Sequence, residues 1–201
     1  MTRSALCWQS FDLAGADVRL AQFCTQVDAT DWFARLHAEI PWQRHRLHLF
    51  GREVDAPRLS CWIGDASAIY RYSGTRFTPH EWTTSLRELR EYLFLHCGES
   101  YNSVLCNLYR DGHDSMGWHS DDEPELGAEP VVASFSFGGA RRFRLRHRHN
   151  PDLRLELDLP SGSILRMAGA TQRFYRHSLA KTARPVEPRI NLTFRRIHVR
   201  S

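Results

Sequence analysis

Lysine is almost absent from this 201-residue chain: Lys181 is the only one, and the other 26 of its 27 basic residues are arginine. Arginine offers a planar, two-pronged grip on phosphate and stacks on bases, which lysine does not. A genome rich in arginine codons yields the same bias, so the absence of lysine alone decides nothing. No run of eighteen apolar residues exists to cross a membrane as a helix. The opening MTRSALCWQSFDL lacks the long apolar segment of a secretory signal, and a cytoplasmic location is the expectation. The five cysteines (Cys7, Cys24, Cys61, Cys97, Cys106) are odd in number and scattered. They show no CxxC spacing, which excludes a thiolate zinc site and dithiol redox chemistry. Repeats, low-complexity tracts and interdomain linkers are missing too.

A chain of this length with 42% hydrophobic residues can bury one sizeable core. A single domain over residues 28–201 is expected, with 1–27 as an N-terminal extension. The formal charge of +4 favours a polyanionic partner. From Asp28, the segment DATDWFARLHAEI places Trp32, Phe33, Leu36 and Ile40 at helical spacing after Asp and Thr caps. A second helix is predicted to start at Thr78-Pro79-His80-Glu81, to repeat Trp82, Leu86, Leu89 and Leu93, and to stop at Gly98. Beyond residue 100 the period falls from 3.6 to 2. Strands are predicted at 103–109, 131–137, 142–146, 153–159, 163–168 and 190–197, punctuated by Gly, Pro and Asn. In LRLELDL the leucines share one face and Arg154, Glu156 and Asp158 the other, an alternation no helix can keep. The expected fold is mainly β with flanking helices: an antiparallel sandwich or jelly roll with two helices on its outside.

Within EPRINLTFRR, period two puts Ile190, Leu192 and Phe194 on one face and Arg189, Asn191, Thr193 and Arg195 on the other. As an outer face this is a solvated surface, the usual fate of arginine. As a lumen it is a buried cationic clamp that demands an anion. Asn107 and Tyr109 share a face of CNLYR in the same way. In an extended WHSD, His119 and Asp121 point to one side and can meet one metal ion, with His177 in RFYRHS the best-placed third ligand. Two histidines and one carboxylate on one face of an octahedron suit non-haem iron(II). Taken alone, HxD is a weak signal in a chain with eleven histidines.

In this order and spacing, Asn107-Leu108-Tyr109, His119-Ser120-Asp121-Asp122-Glu123, His177 and Arg189-Ile190-Asn191-Leu192-Thr193-Phe194-Arg195 resemble the AlkB family of iron(II)- and 2-oxoglutarate-dependent dioxygenases. LFG (49–51), PR (57–58), GD (64–65) and YRYSG (70–74) extend the likeness over residues 47–197. Within the family it is similar to the branch that repairs alkylated bases in double-stranded DNA. The resemblance implies a double-stranded β-helix (jelly-roll) core with two or more N-terminal helices packed on one sheet. It implies that His119, Asp121 and His177 hold Fe(II), and that Asn107, Tyr109, Arg189, Asn191, Thr193 and Arg195 hold 2-oxoglutarate. Dioxygen is the third reactant; an N-methyl group is hydroxylated and lost as formaldehyde while 2-oxoglutarate becomes succinate.

The resemblance also implies a substrate surface. A target base must be flipped out of its duplex, which costs a few kcal/mol. Phe50, with Gly51 and Arg52, matches the aromatic wedge that fills the vacated stack. Tyr70, Arg71 and Tyr72 match the aromatic strand lining the base pocket. Asp122 and Glu123 match acids that meet the amine of a cationic lesion such as 1-methyladenine or 3-methylcytosine. The arginines at 141, 142, 144, 146 and 148 suit phosphates or a solvated hairpin equally. Glu125 and Glu129 read as solvated. The implied activity is demethylation of alkylated DNA; a monomer without membrane contact is the expectation, since nothing in the sequence argues for an oligomer or a membrane. An RNA or single-strand demethylase and a non-catalytic nucleic-acid-binding jelly roll are the alternatives.

Overall fold

The computed structural model describes residues 6–49, 52–72 and 75–198. The chain begins with strands β1 (Gln9–Phe11) and β2 (Asp17–Gln22), helix α1 (Gln26–Glu39), and strands β3 (Gln43–Leu49) and β4 (Arg52–Gly64). A two-stranded ribbon, β5 (Tyr70–Tyr72) and β6 (Thr75–Phe77), precedes helix α2 (Thr84–Cys97). Strands β7 (Ser103–Tyr109), β8 (Met116–His119), β9 (Val132–Gly138), β10 (Arg141–His147), β11 (Arg154–Leu159) and β12 (Ser163–Ala168) follow. A single turn of helix, α3 (Thr171–Phe174), leads into β13 (Tyr175–Leu179), and β14 (Arg189–Arg195) ends the series.

Eight strands form one antiparallel sheet in the order β1-β2-β12-β9-β14-β7-β4-β3, and four form a second in the order β11-β10-β13-β8. Non-consecutive neighbours of this kind fit the jelly-roll class of all-β architectures. Within the segment expected to be an extension, β2 joins the large sheet, pairing with β12 from Asp17 to Gln22 and burying Val18 and Ala21. Strands β7, β9, β10, β11, β12 and β14 fall close to their predicted spans. β8 and β13 are not legible as strands in the sequence; each is short, and polar residues blur its pattern.

Both helices start elsewhere than the sequence suggests. At α1 the cap is Thr25, whose hydroxyl accepts from Asp28 N at 3.2 Å and donates to Asp28 Oδ2 at 2.8 Å. At α2 the cap is Thr83 rather than Thr78. The reason is competition for backbone: His80 N donates to Trp62 O at 2.9 Å and His80 O accepts from Gly64 N at 3.0 Å, so His80 is held to β4 and cannot begin a helix. Gly98 ends α2 as expected, in the left-handed conformation at φ 69°.

Two apolar layers result. The larger packs Trp32 and Leu36 of α1 and Leu86, Leu89 and Leu93 of α2 onto Val104, Phe135, Ile190, Leu192 and Phe194 of the large sheet. Each such fully buried side chain contributes about 1.5–3 kcal/mol. The smaller lies between the sheets, where Phe143, Leu145, Leu157 and Leu159 meet Val18, Val132, Leu165 and Met167. No helix among the described residues is long and apolar enough to cross a membrane.

Candidate metal centre

The face of β14 opposite the helices decides the question the sequence left open. All seven residues of β14 are buried, so Arg189, Asn191, Thr193 and Arg195 point into the space between the sheets, not to solvent. Direct register brings Asn191 opposite Asn107 on β7 and opposite Ser136 on β9. From the small sheet come Phe143, His119 and His177. Together with Met116, Leu159, Met167 and Leu179 they line one pocket.

The two histidines meet because β8 and β13 pair with His119 directly opposite His177. Their ring centroids are 4.2 Å apart. One ligand atom from each of His119, Asp121 and His177 lies within 4.8 Å of the others, and no second such cluster exists among the described residues. His119 Nδ1 lies 2.9 Å from Gly117 O. A carbonyl only accepts, so Nδ1 carries the proton and Nε2 keeps its lone pair for a metal. Asp121 Oδ1 accepts from Arg195 Nη2 at 2.6 Å, while Oδ2 is buried without a hydrogen-bond partner. An orphaned carboxylate oxygen beside two imidazoles is expensive unless a cation completes it.

Electrostatics agree with that reading. Burial pushes His177 down to about 3, with His119 adding repulsion. Burial also lowers His119, partly offset by Asp121. Both imidazoles are therefore neutral donors near neutrality. For Asp121 burial pulls upward, but Arg195, His177 and His119 outweigh it and hold the carboxyl below its ordinary value. Two neutral nitrogens and one carboxylate oxygen fit iron(II) with coordination positions left open.

Deeper in the pocket Arg189 is 2% exposed. Its Nη2 donates to Ser136 Oγ at 2.9 Å, and its guanidinium sits 5.5 Å from the centre of the Tyr109 ring. Nε is buried without a partner, and no carboxylate pairs with this arginine among the described residues. Burial lowers it to about 10, which leaves it charged. An anion in this pocket would supply the missing counter-charge. Arg195, by contrast, is engaged with Asp121. Asn191 Nδ2 donates to Ser134 Oγ at 2.7 Å and Phe135 O at 3.1 Å, and Thr193 Oγ1 donates to Asn191 Oδ1 at 3.1 Å. Asn107 accepts from Arg58 Nε at 2.8 Å.

Phe50 and Gly51 lie outside the described residues. Arg52 begins β4 and Tyr70, Arg71 and Tyr72 form β5, placed here by backbone alone. Asp122 is half-exposed and paired with Arg148, and Glu123 is half-buried. Glu125 is also half-buried, not fully solvated, and Glu129 is exposed.

The arginine stretch of β10 divides by alternation. Arg141 is buried, donating to Asp111 O, Asp114 O and Ala180 O at 2.8–3.0 Å. Arg142 and Arg144 pair with Asp158 and Glu156 across the sheet, and Arg146 lies 4.0 Å from the Trp118 ring centre. Sequence reasoning missed Arg58, which bonds Asn107, and Gln172, which bonds Asp121. The inward aim of Arg141 was legible, since it shares the face of Phe143 and Leu145; Gln172, isolated in a four-residue turn, gave no signal.

The sequence matches the 2OG-Fe(II) oxygenase superfamily over residues 17–195. It is 37% identical over 181 residues to the human alpha-ketoglutarate-dependent dioxygenase alkB homolog 3, covering 86% of this chain and 63% of that protein. It is 34% identical over 200 residues to the human DNA oxidative demethylase ALKBH2, covering 94% of this chain and 77% of that one. The chain thus spans less than two thirds of the length of the first relative. Among solved structures, that of OsALKBH1 superposes with a TM-score of 0.60 at 18% identity, over 94% of this chain and all of that one, and shares the fold.

Proposed function

This chain belongs to the 2OG-Fe(II) oxygenase superfamily, in its AlkB group, and from that premise we propose that it is an oxidative demethylase of N-alkylated bases in DNA. The observation that carries the proposal is the pairing, in one buried pocket, of an incomplete His119–Asp121–His177 ligand set with an arginine, Arg189, that has no carboxylate partner among the described residues. His119, Asp121 and His177 hold the iron. Arg189 and Tyr109 bind the distal carboxylate of 2-oxoglutarate, with Asn107, Asn191, Thr193 and Arg195 framing its metal end. When bound, iron, 2-oxoglutarate and dioxygen would supply the oxidation of an N-methyl carbon, giving succinate, carbon dioxide and formaldehyde.

The protein's own part is placement. Arg195 fixes one oxygen of Asp121 and so aims the other at the metal. The apolar wall of Phe143, Leu159, Met167 and Leu179 limits water around the reacting group. Phe50, Gly51 and Arg52 act as the wedge, and Tyr70, Arg71 and Tyr72 line the base pocket. Glu123, with Asp122 held by Arg148, faces the positive charge of 1-methyladenine or 3-methylcytosine. The proposal includes a monomer in the cytoplasm.

Succinate and formaldehyde release from oligonucleotides carrying either lesion, dependent on iron and 2-oxoglutarate, is the test. Asp121→Ala is expected to abolish both products. Turnover surviving that change would refute the metal assignment, and turnover confined to methylated RNA would move the substrate class.

A further inference from the structure

Asp121 follows β8, whereas His177 stands on β13, more than fifty residues later, so the centre depends on how two separate segments are tied. Asp121 N donates to Gln172 Oε1 at 3.0 Å. Ser120 Oγ donates to Tyr175 O at 2.7 Å. Arg148 Nη2 adds contacts to Ser120 Oγ at 2.8 Å, to Gln172 O at 3.4 Å and to Asp122. Of these, Gln172 is the side chain that meets the ligand residue's own backbone.

Gln172 is 1% exposed and sits in α3, five residues before His177. Its turn is pinned on both sides: Thr171 Oγ1 donates to Ala168 O at 2.5 Å and accepts from Asp17 N at 3.0 Å, and Arg148 N donates to Phe174 O at 2.8 Å. At its other end Gln172 Nε2 finds only the Met167 thioether, 3.7 Å away. Sulfur is a weak acceptor, so burying this amide is costly where leucine or methionine would fill the same volume. What the amide uniquely supplies is the oxygen that receives the Asp121 N–H.

We propose that Gln172 is a positioning residue of the metal centre: its amide oxygen locks the Ser120–Asp121 turn to the segment carrying His177, fixing the carboxylate relative to the imidazoles. It touches neither metal nor substrate. The proposal rests on the triad as the metal site and is independent of which nucleic acid is the substrate.

The test uses the full metal-free chain, titrated with Co²⁺ without oxygen. It reads affinity, the visible bands of the bound ion, and hydrogen exchange at the Asp121 amide. Gln172→Met keeps the volume and removes the acceptor; affinity is expected to fall about ten- to a hundredfold, with altered bands and faster exchange. Gln172→Glu retains an oxygen acceptor and is expected to restore parental affinity and bands. A folded Gln172→Met protein with parental affinity and bands would overturn the proposal, as would a Gln172→Glu protein no better than Gln172→Met. Should Gln172→Met fail to fold, Gln172→Glu decides against the parent: retained affinity with a protected Asp121 amide supports the lock, and lost affinity rejects it. A parent chain that binds no Co²⁺ removes the triad itself and this proposal with it.

Discussion

At the scale of single residues, burial sets the chemistry of the centre. His177 takes its proton only near pH 3 when folded, whereas an exposed histidine does so near 6.5. Between those values the unfolded chain binds the extra proton, so folding stability falls as pH drops through this window. Asp121, held below its ordinary 3.8, keeps its contribution above that value and loses it as pH falls further. Urea denaturation of the metal-free protein between about pH 7 and about pH 4 is expected to show this decline, and His177→Gln to flatten it. Arg189→Lys keeps the charge but loses the two-pronged geometry. The KM for 2-oxoglutarate is expected to rise roughly tenfold, measured by succinate release with lesion DNA in excess. The residue types of this site were legible in HSD and in RINLTFR. That Arg195 serves Asp121 while Arg189 faces the pocket unpaired by any described carboxylate was not, because alternation assigns a face and not a partner.

At the scale of elements, two glycines separate backbone strain from crowding. Gly98 closes α2 at φ 69°, and a Cβ there meets nothing within 4 Å, so Gly98→Ala is expected to cost only the left-handed penalty of about 1–2 kcal/mol. Gly138, at φ 88° and opposite Arg189, would put a Cβ 2.2 Å from Pro188 O and 2.9 Å from Phe33. Gly138→Ala is expected to cost about 1–3 kcal/mol more, by urea denaturation, and to raise the KM for 2-oxoglutarate, whereas Gly98→Ala leaves that KM unchanged. The spans of β7, β9 to β12 and β14 followed from period two, and those of β8 and β13 did not. The start of α2 did not, since a strand 16 residues upstream claims the His80 backbone.

At the scale of the whole molecule, the formal charge is +4, but much of the basic stretch is engaged within the chain. Arg142, Arg144 and Arg148 of the basic stretch pair with acids of this chain, so arginine number overstates the charge available to any polyanion. If Phe50 is the wedge, Phe50→Ala is expected to impair duplex repair about tenfold or more while sparing single strands, because only a duplex has a vacated stack to fill. Equal formaldehyde yields lost on both substrates would dismiss the wedge. By itself, the sequence determined which residues share a face, where α2 stops, and which residue types are present for iron and an anion; each is a local property of backbone period and side-chain chemistry. Only the tertiary structure decided that the polar face of β14 is interior, that His119 stands opposite His177, and that Gln172 reaches Asp121. The reason is that burial and register belong to whatever packs against a strand, and those partners lie far away along the chain.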